Sequence, residues 1–324
     1  MAQFPAPVVA GGFEIRLTEP EIDVGAVLAP GTDIRVGVAG VSHFDPTRPH
    51  YASATWDRIR RFAGQWAQPS TSTSQAVPYL FLEFDTRFGL DRLDEPSPFL
   101  RVSDEAQFRE VTERPGNSVD APLQSRAHLA VDLVSELLDA PLHEPRLRTL
   151  ESCVAMMPAG SSILHVGVMF ARSDAIRLHL CVPTNSTSDY LRVLGWKGSF
   201  AALDATLGRY GEQEPVTTLQ FEIGDMVGEG LGLEFSSRGI LYGDAERWGE
   251  FLDRLVEDDL CTPEKRDLVL GWPAIYSAPM SLGGWPCTIR QDLSHIKIAL
   301  RPGQPLQAKA YLSVVPSFEL FAPR

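Results

Sequence analysis

The sequence predicts an α+β protein: an antiparallel ten-stranded β-barrel built from repeated helix–strand–strand–helix units, with helices outside and a polar lumen. Three observations lead there. Hairpins alternate with helix pairs along the second half of the chain in the order ββ-αα-ββ-αα-ββ. Each strand in these hairpins carries one apolar and one polar face. The helices carry apolar stripes that must be buried, and the apolar strand faces are their natural partners.

The elements from Ser161 onward are the most regular. "ILHVGVMFARSDAIRLHLCV" reads as two alternating strands around Ser173-Asp174. "SDYLRVLGWKGSFAALDATLGRYG" has helical spacing at Tyr190, Leu191 and Leu194, then at Phe200, Leu203 and Leu207, and closes at Gly211. "TTLQFEIGDMVGEGLGLEFSS" is a second hairpin, with the Gly-rich "GEGLGLE" read as its turn. "DAERWGEFLDRLVEDDLCTPEKRDLVLGW" is helical, with Asp244 as N-cap and a fresh helix at Thr262-Pro263. "SHIKIALRPGQPLQAKAYLSV" is the last hairpin, turning at a Pro/Gly loop. The N-terminal half follows the scheme less regularly. "FEIRLT" and "DIRVGVAG" form a hairpin around Pro20 to Pro30, and "WDRIRRFAGQWA" is an amphipathic helix. "QPSTSTSQAV" is a polar loop, "YLFLEFD" and "PFLRVS" pair across a long connection, and "SRAHLAVDLVSELLD" and "PRLRTLESCVAMM" are helices. No interdomain linker appears, so residues 1–324 are expected to be one barrel, least regular over 1–70.

Sorting strand residues by face separates two sets. Leu164, Val166, Val168 and Phe170, Ile176 to Val182 in alternation, Leu219, Phe221 and Ile223, and Leu231, Leu233 and Phe235 share the apolar face. The opposite face carries His165, Gly167 and Met169, then Arg177, His179 and Cys181. It continues with Thr218, Gln220 and Glu222, with Gly232, Glu234 and Ser236, and with His295, Lys297, Lys309 and Tyr311. An open ten-stranded sheet with helices on one side would curl, and closure removes both edges. A parallel (β/α)8 barrel needs single strand–helix alternation, which this chain lacks.

The net charge of −13 over 324 residues argues against nucleic-acid binding. Cys153, Cys181, Cys261 and Cys287 show no metal-ligand spacing, so free thiols are expected. With no basic-then-apolar leader and no run of about 20 apolar residues, a cytoplasmic protein without membrane association is expected. The chain lacks a P-loop, a Rossmann fingerprint and a nucleophile-elbow serine. "VEDDL" reads as a solvated helix end.

The repeat pattern together with Lys309-Ala-Tyr311 in "AKAYL" and Glu83 in "LEFD" resembles the ABBA-type (PT-barrel) prenyltransferases, over roughly residues 75 to 315. The resemblance implies transfer of an allylic prenyl group from its diphosphate to an aromatic or peptide acceptor. It implies cations that hold the diphosphate, tyrosines that shield the carbocation and an early acidic residue that takes a proton. On this sequence the diphosphate-binding candidates are Arg177, Lys297, Lys309 and Arg101, and the shield candidates are Tyr311 and Tyr79. Glu83 is the proton acceptor, Glu234 its alternative, and His165 a relay; His179, His295, Met169 and Glu222 complete the lumen. Asp85, nearer the strand end, is expected to be solvated. A diphosphate needs several charge-assisted hydrogen bonds, and inward lysines imply an anionic ligand or carboxylate partners. The chemistry requires no cofactor, while Mg2+ bridging a diphosphate is compatible with it. Terpene cyclisation or binding without turnover on the same barrel, and an open-sheet interaction protein, are the rival readings.

Overall fold

The computed structural model describes residues 10–28, 53–85, 95–102, 123–170, 172–173, 175–212, 214–236, 245–279 and 286–317. The strands are β1 (Ala10–Arg16), β2 (Ile22–Leu28), β3 (Leu80–Phe84), β4 (Ser97–Arg101), β5 (Ser162–Val168), β6 (Ile176–Pro183), β7 (Val216–Ile223), β8 (Val227–Phe235), β9 (Ala274–Pro279), β10 (Pro286–Leu300) and β11 (Gln307–Ser317). The helices are α1 (Ala54–Trp66), α2 (Ser72–Ala76), α3 (Leu123–Leu138), α4 (Glu144–Ala155), α5 (Thr187–Val193), α6 (Phe200–Tyr210), α7 (Ala245–Glu257) and α8 (Pro263–Leu270).

All strand pairings in the register are antiparallel. The sheet order is β11-β1-β2-β3-β4-β5-β6-β7-β8-β10-β9, and the further pairing of β11 with β10 closes ten of these strands into a barrel. The long β10 makes closure compatible with an eleventh strand. Its C-terminal half pairs with β8 at Ile296–Leu300, while Pro286–Gln291 pair with β9 outside the ring. Sequence reading missed β9 because "AIYSAP" lacks period-two alternation.

Three further expectations are corrected. The first hairpin returns through Ile22–Leu28, because Arg16 to Ile22 is span enough for a tight connection; "DIRVGVAG" lies outside the described residues, as does Asp244. The glycines of "GEGLGLE" are inside β8, and the turn lies at Gly224 to Met226. Gly232 falls on the inner face, where its missing side chain leaves room for Gln220 and the Lys297 stem. The polar stretch 68–77 holds the short α2, whose N-cap Thr71 accepts from Ser74 N at 3.1 Å.

The core lies between barrel and helices. Outward residues such as Leu82, Val166, Leu178, Leu219, Leu233 and Ile298 form one cluster with Ile59, Phe62 and Trp66 of α1, Val134 and Leu137 of α3, Leu203 of α6 and Leu252 of α7. The spacing Ile59, Phe62, Trp66 is the three-to-four-residue period of a helix stripe. A bulge between Ile163 and His165 shifts β5 by one residue, so Ile163 joins this cluster and Leu164 stays half-buried. Near the β4–β5 pairing, a Cβ on Gly167 would lie 2.4 Å from Pro98 O and 2.5 Å from Phe99 Cδ1. Only glycine lets the Phe99 ring lie across β5 and into the lumen. Among the described residues no helix is long and apolar enough to cross a membrane.

Candidate active site

Because side chains alternate, inward residues of neighbouring strands fall into rows across the barrel. One row runs Arg16 (β1), Lys309 (β11), Lys297 (β10), Glu234 (β8) and Thr218 (β7). A second runs Arg101 (β4), His165 (β5), His179 (β6), Gln220 (β7) and Gly232 (β8). A third joins Glu14 (β1) to Tyr311 (β11) and His295 (β10).

Two lysines and one carboxylate form the centre. Lys297 and Lys309 stand directly opposite each other and are 6% and 5% exposed. Lys309 and Tyr311 both donate to the Glu14 carboxylate, and Lys297 Nζ lies 3.8 Å from Glu14 Oε2. Burial pushes the Glu14 carboxyl up, but both lysine charges and the hydrogen bonds from Lys309 and Tyr311 outweigh it and hold it well below the ordinary range. Burial, opposed by Glu14, pushes the Lys297 ammonium down. Burial and then Glu14 raise the Tyr311 phenol well above its usual value. The His295 ring stacks on Tyr311 with centroids 4.1 Å apart and planes 15° from parallel, and Lys297 Nζ sits 4.8 Å from the Tyr311 centroid.

Glu234 lies between two imidazoles: His179 Nδ1 is 3.8 Å from its Oε1 and His295 Nε2 is 3.9 Å from its Oε2. Burial raises Glu234 to about 7 despite the Lys297 charge. Burial, followed by the Lys297 charge, drops His295 to about 3. Burial also holds His165 and His179 well below the normal imidazole value, with Arg101 and His295 adding to it at His165. Among the described residues His165 Nε2 is buried without a hydrogen-bond partner, and the ring packs edge-on to Phe81 and to His179.

A cavity of about 220 Å³ opens beside this centre, lined in part by Glu14, Asp23, Glu83 and Glu234, the three histidines, Phe81, Phe99, Gln220 and Tyr311. Of the candidates for the anion site, none lines it. Lys297 and Lys309 lie behind Glu14, and Arg177 donates to Glu222 Oε1 at 2.6 Å, so this cation meets a carboxylate across the sheet. The Glu222 side chain is 44% exposed, which places that pair at the open edge of the lumen. Arg101 ends β4 half-buried, Tyr79 precedes β3 and meets Arg101 through its backbone carbonyl, and Met169 is fully buried just past β5. Glu83 faces the cavity, with burial and the Glu14 charge raising its carboxyl; Arg172 stands 3.7 Å away. Asp85 is 7% exposed and held by the Arg172 guanidinium, so the expectation that it is solvated fails.

Sequence reasoning missed Glu14, Asp23, Arg172 and Gln220 as site residues. Glu14 was legible in principle, since in "FEIR" it alternates with Phe13 and Ile15. Asp23 was not, because its strand was placed further along the chain. Arg172 sits beyond β5, where period two no longer applies.

No family model matches the chain, and no curated protein matches it in sequence. Solved structures do match in shape. The apo form of prenyltransferase PriB aligns over 98% of this chain and 87% of its own, at 13% identity and a TM-score of 0.55. The 6-dimethylallyltryptophan synthase from Micromonospora olivasterospora aligns over 97% and 84%, at 11% identity and a TM-score of 0.52. AnaPT from Neosartorya fischeri aligns over 94% and 77%, at 15% identity and a TM-score of 0.51. Closed ten-stranded ring, outer helices and side-chain-lined lumen together give this chain the barrel fold of the ABBA prenyltransferases.

Proposed function

We propose that this protein is an enzyme that transfers an allylic prenyl group from its diphosphate to an electron-rich aromatic acceptor, free or within a peptide. The observation that carries this reading is a pair of buried ammonium groups held just behind the cavity wall. Lys297 and Lys309 converge on the Glu14 carboxylate, with Glu234 opposite Lys297 on β8. Buried charge left without a partner is costly, so a diphosphate entering here would have to take the place of the Glu14 carboxylate as the lysines' partner. A diphosphate offers several oxygens for charge-assisted hydrogen bonds. Arg177 can join by exchanging the exposed Glu222 for phosphate oxygens, and Arg101 lies on the row beyond His165. Of the structural neighbours, the synthase was solved with DMASPP and Trp, and PriB with L-tryptophan and dimethylallyl thiolodiphosphate.

In the proposed reaction the allylic C–O bond breaks heterolytically and the diphosphate keeps the electron pair. Tyr311 lines the cavity and offers its π system to the allylic cation, as it already does to the Lys297 ammonium; Tyr79 is the second shield candidate. The acceptor ring attacks the allylic carbon and then loses its proton to a carboxylate. Glu83 faces the cavity for this role, and Glu234 is its alternative, with a carboxyl already raised to about 7. His165 stands beside His179 as a relay.

Calorimetric titration with dimethylallyl and geranyl diphosphate tests the donor half. Micromolar binding is expected, weakened about tenfold or more in Lys309→Ala and in Arg177→Ala, as loss of a charged hydrogen bond requires. Turnover with tryptophan and tyrosine, free and in peptides, is then followed by mass spectrometry. Absence of binding to either diphosphate sinks the reading.

A further inference from the structure

Gln220 projects from β7 into the lumen, 9% exposed, and the reaction proposed above gives it no part. Its register partner on β8 is Gly232. A Cβ on Gly232 would lie 3.0 Å from Gln220 Oε1 and 3.1 Å from Lys297 Cδ. The missing side chain is what lets a β7 residue touch a β10 residue across the strand between them.

The contacts of this amide have one consistent assignment. Lys297 Nζ donates to Gln220 Oε1 at 3.0 Å, and an ammonium has no acceptor, so the oxygen is fixed on that side. The amide nitrogen therefore faces His179, where it lies 2.9 Å from Nε2. An amide NH2 only donates, so His179 Nε2 must carry the lone pair and its proton must sit on Nδ1. Nδ1 is on the side of Glu234, whose Oε1 lies 3.8 Å from it, beyond direct hydrogen-bond distance. The other charged or titratable groups around the ring are His165 on β5, Arg177 on β6, and His295 and Lys297 on β10.

We propose that Gln220 is a positioning residue that couples the anion site to the proton-accepting site. While Lys297 holds the amide oxygen, His179 is locked with its proton on Nδ1 toward Glu234. A diphosphate that draws the Lys297 ammonium away frees the amide to turn its oxygen toward Nε2. The ring can then change tautomer, Nδ1 releasing its proton to Glu234 while Nε2 takes one from water. The lock stands on the ligand-free geometry alone; its release by diphosphate rests on the reading of the preceding section.

Nitrogen-15 NMR of the histidine rings in the full chain tests this, with wild type, Gln220→Glu and Gln220→Leu, each with and without inorganic pyrophosphate. In ligand-free wild type, His179 is expected to show a protonated Nδ1 and an unprotonated Nε2. Gln220→Glu keeps an acceptor for Lys297 but offers no N–H, so the proton is expected to appear on Nε2. Gln220→Leu removes the lock and leaves a mixture of tautomers. Saturating pyrophosphate is expected to place a proton on Nε2 in wild type. An Nε2-protonated ring in ligand-free wild type, or an unchanged ring in Gln220→Glu, overturns the lock. Calorimetric binding of pyrophosphate with no change at His179 overturns the coupling. If wild type binds no pyrophosphate, the anion reading and the coupling fall, and the ligand-free spectra still decide the lock. Should Gln220→Leu fail to fold, the near-isosteric Gln220→Glu carries the test.

Discussion

Glu14 is the residue on which the inner charges balance. Replacing it with Gln leaves Lys297 and Lys309 facing each other without the carboxylate they share, and breaking a buried pair of this kind costs about 3–5 kcal/mol. Urea unfolding of Glu14→Gln is expected to show that loss, and inorganic pyrophosphate is expected to recover more stability in the variant than in wild type. Equal ligand effects in both proteins would contradict a shared anion site. Glu234 makes the opposite kind of statement about pH. Burial raises its folded carboxyl to about 7, above the ordinary carboxylate range, so its contribution is fully present below the unfolded value and is lost as pH rises through 7. At about 1.4 kcal/mol per pH unit the loss is on the order of 3 kcal/mol. Glu14, held low, acts in the reverse sense and only in acid: its contribution is present above the unfolded value and disappears as pH falls. The stability of wild type relative to Glu234→Gln should therefore fall as pH rises toward 7. The three buried histidines, held low, lose their own contribution as pH falls in both proteins. A difference between the two proteins that stays flat with pH would place the titration elsewhere.

At the scale of elements, the strands hold the site by what they omit. Gly167 makes room for Phe99, and a methyl there meets the Pro98 carbonyl as well as the ring. Overpacking of this kind costs about 1–3 kcal/mol, so Gly167→Ala is expected to lower the unfolding midpoint and to loosen the amides of β4 and β5 in hydrogen exchange. Helix ends follow simpler rules. Thr262 caps α8 by accepting from Lys265 N at 3.2 Å, so Thr262→Ala should cost about 1 kcal/mol without touching ligand binding. The acidic end of α7, where Asp258 accepts from Arg209 and Tyr210, ties α7 to α6. "VEDDL" is therefore a helix-to-helix tether as well as a solvated end.

For the molecule as a whole, closure is the decisive feature. β11 pairs with β1 on one side and β10 on the other, so Lys309 and Tyr311 meet Glu14 from the far end of the chain. β9 lies outside the ring, pairs among the described residues with β10 alone, and exposes Ile275 and Tyr276. Hydrogen exchange is expected to be faster by orders of magnitude in β9 than in Ala308–Leu312, which are bonded from both sides. Comparable protection in the two segments would mean that another part of the chain covers β9.

Local pattern alone determined most of the architecture. Period-two alternation in "SILHVGV", "IRLHLCV" and "HIKIAL" separates an apolar from a polar face, and helix stripes such as Ile59, Phe62 and Trp66 require burial against the apolar one. From that, hairpins, outer helices and a polar interior follow with no knowledge of distant contacts. The pattern also put His165, His179, Glu234, Lys297 and Lys309 on one face, because side-chain direction in a strand depends only on residue parity. Which of them meet was decided by tertiary structure. Register across the closed ring is a long-range property, so nothing near Lys309 in sequence indicates that Glu14, 295 positions away, neutralises it. Nor does any local signal show that Arg177 would find Glu222, or that Gly232 would let Gln220 reach Lys297. Parity chooses the face; closure chooses the partner, and the electrostatics of the lumen depend on the partner.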